Sequence, residues 1–212
     1  MDILSIREDF ISGKVDLISF YTDVIKRIED KKDLNIFLDF SKGKIMERVE
    51  FLNNKLKNKE KLGSLFGVSV SVKDNILVKG YKSTCGSKIL ENYFPIFNAT
   101  IIDRLLEEDA VILGKVNMDE FAMGGSGETS YFGATKNPLD ESLIPGGSSS
   151  GSASSVSADL AMISLGSDTG GSVRNPASFC ACVGYKPTYG MISRYGVVSM
   201  ASSLDQVGIL SN

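Results

Sequence analysis

The sequence predicts an α/β protein whose mixed, largely parallel sheet is flanked by helices. Three observations lead there: helical spacing of apolar residues up to about residue 60, a switch to strict alternation at 68–73, and then short apolar runs separated by a helix and by loops of small residues. Strands alternating with helices favour parallel pairing, and in such sheets ligands gather beyond the C-terminal strand ends.

Residues 1–62 read as a helical segment and 65–212 as the sheet, together one domain spanning 1–212. Leu17, Ile18, Tyr21, Val24, Ile25 and Ile28 occupy one helix face behind Asp16, a residue suited to N-capping. Ile45, Met46, Val49, Leu52 and Leu56 repeat the pattern behind Ser41, with Gly63 as the expected stop. Val68, Val70 and Val72 then alternate with Ser69, Ser71 and Lys73, the signature of a half-polar strand ending at Lys73. Asn98 opens a helix carrying Ile101, Ile102, Leu105 and Leu106, followed by apolar strands over Ala110–Gly114 and Asp159–Leu165.

Composition narrows the function. With 42% hydrophobic and 23% charged residues the chain has the make-up of a globular core rather than of a disordered segment. A net charge of −3 and a pI near 5.1 offer no basic surface for nucleic acid or anionic lipid. No apolar stretch approaches the ~18 residues of a membrane span. The start, MDILSIRED, has no apolar core of a signal peptide, so a cytoplasmic location is expected. The odd count of cysteines, Cys85, Cys180 and Cys182, argues against a disulfide framework, and they lie on no metal-ligand spacing. There is no histidine, which removes imidazole bases and histidine metal ligands from this stretch.

Two small-residue loops lie at the sheet. Pro145-Gly-Gly-Ser-Ser-Ser-Gly-Ser-Ala153 reads either as a flexible linker or as a tight helix-to-sheet approach. Gly166-Ser-Asp-Thr-Gly-Gly-Ser-Val-Arg-Asn-Pro176 follows a strand, and its Thr169, Gly170, Gly171 and Ser172 amides suit either an oxyanion hole or a phosphate nest. No Gly-Lys-Ser/Thr follows, so the Walker pattern is missing. Without histidine, a nucleophilic serine needs a lysine base whose pKa has fallen from ~10.4 toward neutrality, and Lys73 at a strand end is the best placed.

These two loops, with VGYKPT at 183–188 and SVKDN around Lys73, resemble the signature of the amidase family. Lys73 lies 75 residues before Ser148, and Ser148 lies 24 before Ser172, as that family's triad requires. The resemblance implies that Ser172 is the acyl-forming nucleophile, Lys73 the base, and Ser148, after a cis bond to Gly147, the relay. It further implies an oxyanion hole from the amides of Thr169, Gly170, Gly171 and Ser172, and an Asp168–Arg174 pair that stiffens the loop. Ser150 and Ala181 stand where the family more often has glycine, which touches local backbone geometry and not the triad.

The segments 118–133 and 201–208 are similar to the A-subunit branch of that family, found in glutamyl-tRNA(Gln) amidotransferases. This implies glutamine as substrate, with Met123, Gly124 and Ser126 near its amide. It also implies B and C subunits as partners, tRNA contact only through the complex, and no cofactor in this chain, ATP and Mg being used by the B subunit. That family's chains are about twice as long, so the chain is expected to be an N-terminal half with an incomplete fold. The alternatives are a free-standing amidase of the same family and a non-catalytic phosphate-binding or assembly module.

Overall fold

The computed structural model describes residues 3–212. Two helices, α1 (Ile3–Ser12) and α2 (Leu17–Asp30), precede a strand, β1 (Phe37–Phe40), and a third helix, α3 (Lys42–Lys57). Asp16 caps α2 by accepting from the Ser19 amide at 2.8 Å, and Ser41 caps α3 by accepting from Lys44 at 3.4 Å. Gly63 does not end α3. The helix stops at Asn58, followed by Lys59 with a φ of 56°. Gly63 serves a close approach instead: its amide donates to Asp109 at 2.6 Å, and a Cβ there would overlap the backbone of Glu108.

The remaining elements are β2 (Ser69–Lys73), α4 (Thr100–Glu107), β3 (Val111–Val116), α5 (Ser150–Ser157), β4 (Ile163–Asp168), α6 (Arg174–Phe179), β5 (Val183–Tyr185) and β6 (Gln206–Ser211). They form one six-stranded sheet in the order β1-β3-β2-β4-β6-β5. The expected mixed sheet is present, but its parallel part is confined to β3-β2-β4; β1, β6 and β5 join antiparallel. The segments that carry α4 and α5 supply the crossovers which the two parallel pairings need. The stretch 1–62 is also not purely helical, since β1 lies within it. Its FLDF is half-buried on both faces and shows no alternation.

Helices α1 to α3 cover one face of the sheet through Phe10, Tyr21, Ile45, Leu52, Val111 and Leu113, while Ile102 and Leu105 of α4 meet Val70, Val72 and Leu165 on the other. The strand at 159–165 begins later than expected. Asp159 turns with a φ of 56°, Leu160 and Ala161 pack into the helical layer, and β4 starts at Ile163.

The largest departure concerns β2. Its alternation makes it half polar, yet all five of its residues are buried. Helix α5 explains this. Its sequence SGSASSVS has side chains small enough to lie directly on the sheet, and seven of the eight residues are buried. The Ser71 hydroxyl bonds those of Ser155 and Ser164, each at 2.7 Å, and Ser69 accepts from the Met162 amide at 3.0 Å. Each such hydroxyl left unpaired would cost ~1–3 kcal/mol, so this polar layer is stable only because it is closed.

A second buried lysine lies on β3. Lys115 is fully enclosed and ion-paired with the equally buried Asp74 at 3.1 Å, and it donates to Ser83 at 2.7 Å. Removing one partner of such a pair leaves an uncompensated charge. Lys115→Met in the full-length protein is therefore expected to lower unfolding stability by ~3–5 kcal/mol, read from the urea midpoint.

Candidate active site

Lys73 ends β2, Ser148 precedes α5, and Ser172 follows β4, which gathers all three at the C-terminal ends of the parallel strands. The Lys73 amine lies 2.8 Å from the Ser148 hydroxyl, 2.9 Å from that of Ser167 and 3.3 Å from the Ser167 carbonyl. The Gly147–Ser148 peptide is cis. On either side of Ser148 the two loops are pinned together. The Gly147 amide donates to the Asn175 side chain at 2.9 Å, and the Ser149 amide donates to the Ser172 carbonyl at 3.1 Å. Ser172 therefore joins the Lys73–Ser148 pair through the main chain.

Depth orders the three residues. Lys73 and Ser148 are completely buried, whereas Ser172 is 9% exposed and lines a cleft of about 270 Å³ with Gly124, Gly147, Gly170 and Met200. Reagent access is thus open at Ser172 and closed at the groups beneath it. Burial pushes the Lys73 amine down to about 7, although the carboxylates of Asp119, Asp168 and Asp205 pull the other way. Lys115 has a carboxylate in contact, while Lys73 has only hydroxyl and carbonyl oxygens. Lys115 thus sits in an ion pair, whereas Lys73 has no carboxylate in contact and is placed to exchange a proton with a hydroxyl.

Asp168 and Arg174 pair as expected, with the guanidinium donating at 3.0 and 2.9 Å. Burial alone would raise the Asp168 carboxyl, but hydrogen bonds from Arg174, Val173 and Gly171 outweigh it and hold the group below the ordinary carboxylate range. One of these bonds corrects an expectation. The Gly171 amide donates to Asp168 at 2.8 Å, so it is committed to bracing the loop and is not available to an oxyanion. Among the described residues no hydrogen bond engages the amides of Thr169, Gly170 or Ser172, which leaves these as the available donors.

Of the three residues expected near a substrate amide, Gly124 lines the cleft. Met123 lies at the surface, 64% exposed, and Ser126 accepts from the Glu128 amide at 3.3 Å as a turn residue. The reading of 118–133 overlooked Asp119. Its buried carboxylate accepts from Gly127 and Thr129 at 3.1 and 2.9 Å, and a Cβ on either Gly124 or Gly147 would overlap it. The signal was present as an acid followed by closely spaced glycines. Asp205, also overlooked, accepts from Thr169 at 2.5 Å, from Ser199 at 2.8 Å and from Met200 at 2.9 Å, which ties the loop carrying Ser172 to the far wall of the cleft.

The cysteines are all free, with Cys85 and Cys180 buried and Cys182 half-buried. Burial pushes the Cys85 thiol up to about 12, which suits a small core side chain. Among the described residues no cluster of His, Cys, Asp or Glu is arranged to hold a metal, and no helix is long and apolar enough to cross a membrane.

The family profile described as Amidase matches residues 20–212. The chain is 52% identical over 207 residues to the A subunit of the glutamyl-tRNA(Gln) amidotransferase of Chlorobium phaeobacteroides, covering 98% of this chain and 43% of that protein. The corresponding A subunit from Fusobacterium nucleatum is 51% identical, with 97% and 42% covered. The crystal structure of the A subunit from Thermotoga maritima is 56% identical and superposes with a TM-score of 0.70 over 72% of this chain and 34% of that one. The peptide amidase of Stenotrophomonas maltophilia is 30% identical, with a TM-score of 0.94 over 100% of this chain and 45% of the other. The chain thus spans less than half the length of the proteins it matches.

Proposed function

The chain belongs to the amidase family, and we propose that it is the N-terminal part of the glutamine-hydrolysing A subunit of a glutamyl-tRNA(Gln) amidotransferase. The observation that carries the chemistry is the buried Lys73–Ser148 hydrogen bond beneath an accessible Ser172, with the lysine pushed down to about 7. The substrate assignment draws support from relatives bearing that name at 52% and 51% identity.

In this reading the Ser172 hydroxyl oxygen attacks the side-chain amide carbon of glutamine. Its proton passes to Ser148 as the Ser148 proton passes to neutral Lys73. The oxyanion is held by the free amides of Thr169, Gly170 and Ser172. The proton then returns through Ser148 to the nitrogen, the C–N bond breaks, and ammonia leaves a glutamyl ester on Ser172. Water, deprotonated along the same route, hydrolyses that ester and releases glutamate. The ammonia goes to the B subunit, which activates glutamyl-tRNA with ATP and Mg. The pair is braced by the C subunit, and tRNA is met only through the complex, in the cytoplasm.

A free-standing amidase is the second reading, supported by the superposition of the whole chain on 45% of a peptide amidase. A phosphate-binding module fits less well. The loop that would cradle the phosphate already spends its Gly171 amide on Asp168, which leaves it one donor fewer for a group with several oxygens.

The test treats the full-length protein with a glutamine-derived electrophile across pH and maps the adduct by mass spectrometry. The adduct is expected on Ser172, at a rate that falls as pH drops through about 7, because a protonated Lys73 cannot accept the relayed proton. An adduct on another residue, or a rate flat from pH 6 to 9 (roughly one unit below and two above that value), would overturn the reading.

A further inference from the structure

The proton inventory around Lys73 assigns work to two residues outside the triad. A neutral amine has two N–H bonds and one lone pair, and only the lone pair can take a proton from Ser148. Three oxygens surround the Lys73 nitrogen: Ser148 Oγ at 2.8 Å, Ser167 Oγ at 2.9 Å and Ser167 O at 3.3 Å. Protonated, the amine has three N–H bonds for these three acceptors. Neutral, it directs its lone pair at Ser148 only if both remaining N–H bonds go to Ser167.

Ser167 must then remain an acceptor, and a second donor acts on it. The Asn75 side-chain amide donates to the same Ser167 hydroxyl oxygen at 3.1 Å and to the Val198 carbonyl at 3.3 Å. Asn75 is 2% exposed, and its main-chain carbonyl accepts from the Val198 amide at 2.8 Å, so the donor is fixed in place. With both of its lone pairs engaged by Lys73 and Asn75, the Ser167 oxygen cannot turn its proton toward the amine without breaking a bond. The Ser167 backbone is held as well, since its carbonyl accepts from the Ser149 hydroxyl at 3.2 Å.

We propose that Ser167 and Asn75 are positioning residues that aim the lone pair of Lys73 at Ser148, with Asn75 acting through Ser167. The inference rests on Lys73 being the base, as in the function proposed above. It predicts a pattern that a merely structural role would not produce. Loss of the Ser167 hydroxyl takes one acceptor from the ammonium, so the acid limb of the rate moves to lower pH while the rate above it falls. Loss of Asn75 matters only while that hydroxyl is present.

The experiment measures glutamine hydrolysis by the full-length protein in its complex, from pH 5.5 to 9.5, for Ser167→Ala, Ser167→Cys, Ser167→Thr, Asn75→Ala, the Asn75→Ala/Ser167→Ala double variant and Lys73→Ala. Ser167→Ala is expected to lower kcat roughly 10- to 100-fold with KM unchanged, and Asn75→Ala roughly 10-fold. Ser167→Thr keeps an oxygen acceptor and should stay within about 3-fold of wild type, whereas Ser167→Cys, of similar size but with a weak acceptor, should follow Ser167→Ala. The cysteine and threonine pair carries the comparison if the alanine variant does not fold. The double variant should be no worse than Ser167→Ala alone, to within about 2-fold. Multiplicative losses in the double variant, or wild-type kcat and an unmoved acid limb in Ser167→Cys while Lys73→Ala is inactive, would remove the positioning role and leave the triad standing. Near-normal hydrolysis by Lys73→Ala would remove the base itself, and this inference with it.

Discussion

Lys73→Met in the full-length protein is expected to abolish glutamine hydrolysis and at the same time make the protein harder to unfold. The loss follows from chemistry: Ser148 would have no group to pass its proton to, and the described stretch has no histidine to substitute. A drop on the order of 10³-fold or more is expected. The gain follows from burial. A completely enclosed amine depressed from 10.5 to about 7 carries a penalty of ~5 kcal/mol at neutral pH, because the unfolded chain binds a proton that the folded one resists. Against this, losing the amine's bonds to the Ser148 and Ser167 hydroxyls costs ~1–3 kcal/mol. The wild-type protein should therefore gain stability as pH rises from about 7 toward 10.5, and Lys73→Met should lack that rise while melting higher at pH 7. Paired melting curves at pH 7 and 10 decide it. A variant that melts lower at pH 7 would mean that Lys73 is held as a cation in the fold, and the neutral-base mechanism would go with it.

Ser172→Ala is expected to eliminate both hydrolysis and electrophile labelling, by a factor on the order of 10⁴ or more. Of the serines at 148, 149, 150 and 172, the first three are completely buried and Ser172 is not. Its hydroxyl is small and partly exposed, so stability should change by less than ~1 kcal/mol. Amidation of tRNA by the complex should persist when ammonia is supplied directly, because that half of the reaction is proposed to lie on a different polypeptide. Residual labelling of the alanine variant at the wild-type rate would reassign the nucleophile.

Much of this was legible in the chain itself, for identifiable reasons. Asp16 and Ser41 were readable as caps because N-capping depends on residues adjacent in sequence. That Lys73, Ser148 and Ser172 come together was readable because the two glycine-rich loops and the lysine segment appear in order and at the family's spacing. Strands β1, β5 and β6 were not readable. β1 is half-buried without alternation, β5 has only three residues, and β6 pairs with a strand more than 35 residues away. The role of Gly63 was misread for a similar reason, since its need for a bare Cα comes from Glu108, far along the chain.

By itself, the sequence determined which groups are available: a glycine-rich loop carrying Ser172, a serine-rich helix start, a lysine at a strand end, and no imidazole. Only the tertiary structure decided their states. Whether the polar face of β2 meets water depends on what packs there: Ser155 of α5 covers Ser71, Met162 meets Ser69, and Ser148, just before α5, meets Lys73. Of two buried lysines on neighbouring strands, one received a carboxylate and the other only hydroxyl and carbonyl oxygens. A lysine's charge is set by desolvation and by the groups within a few ångströms, and strands and loops distant in sequence supply both. Composition and spacing can therefore nominate Lys73 as a base, but only the folded packing around it brings its pKa near neutrality.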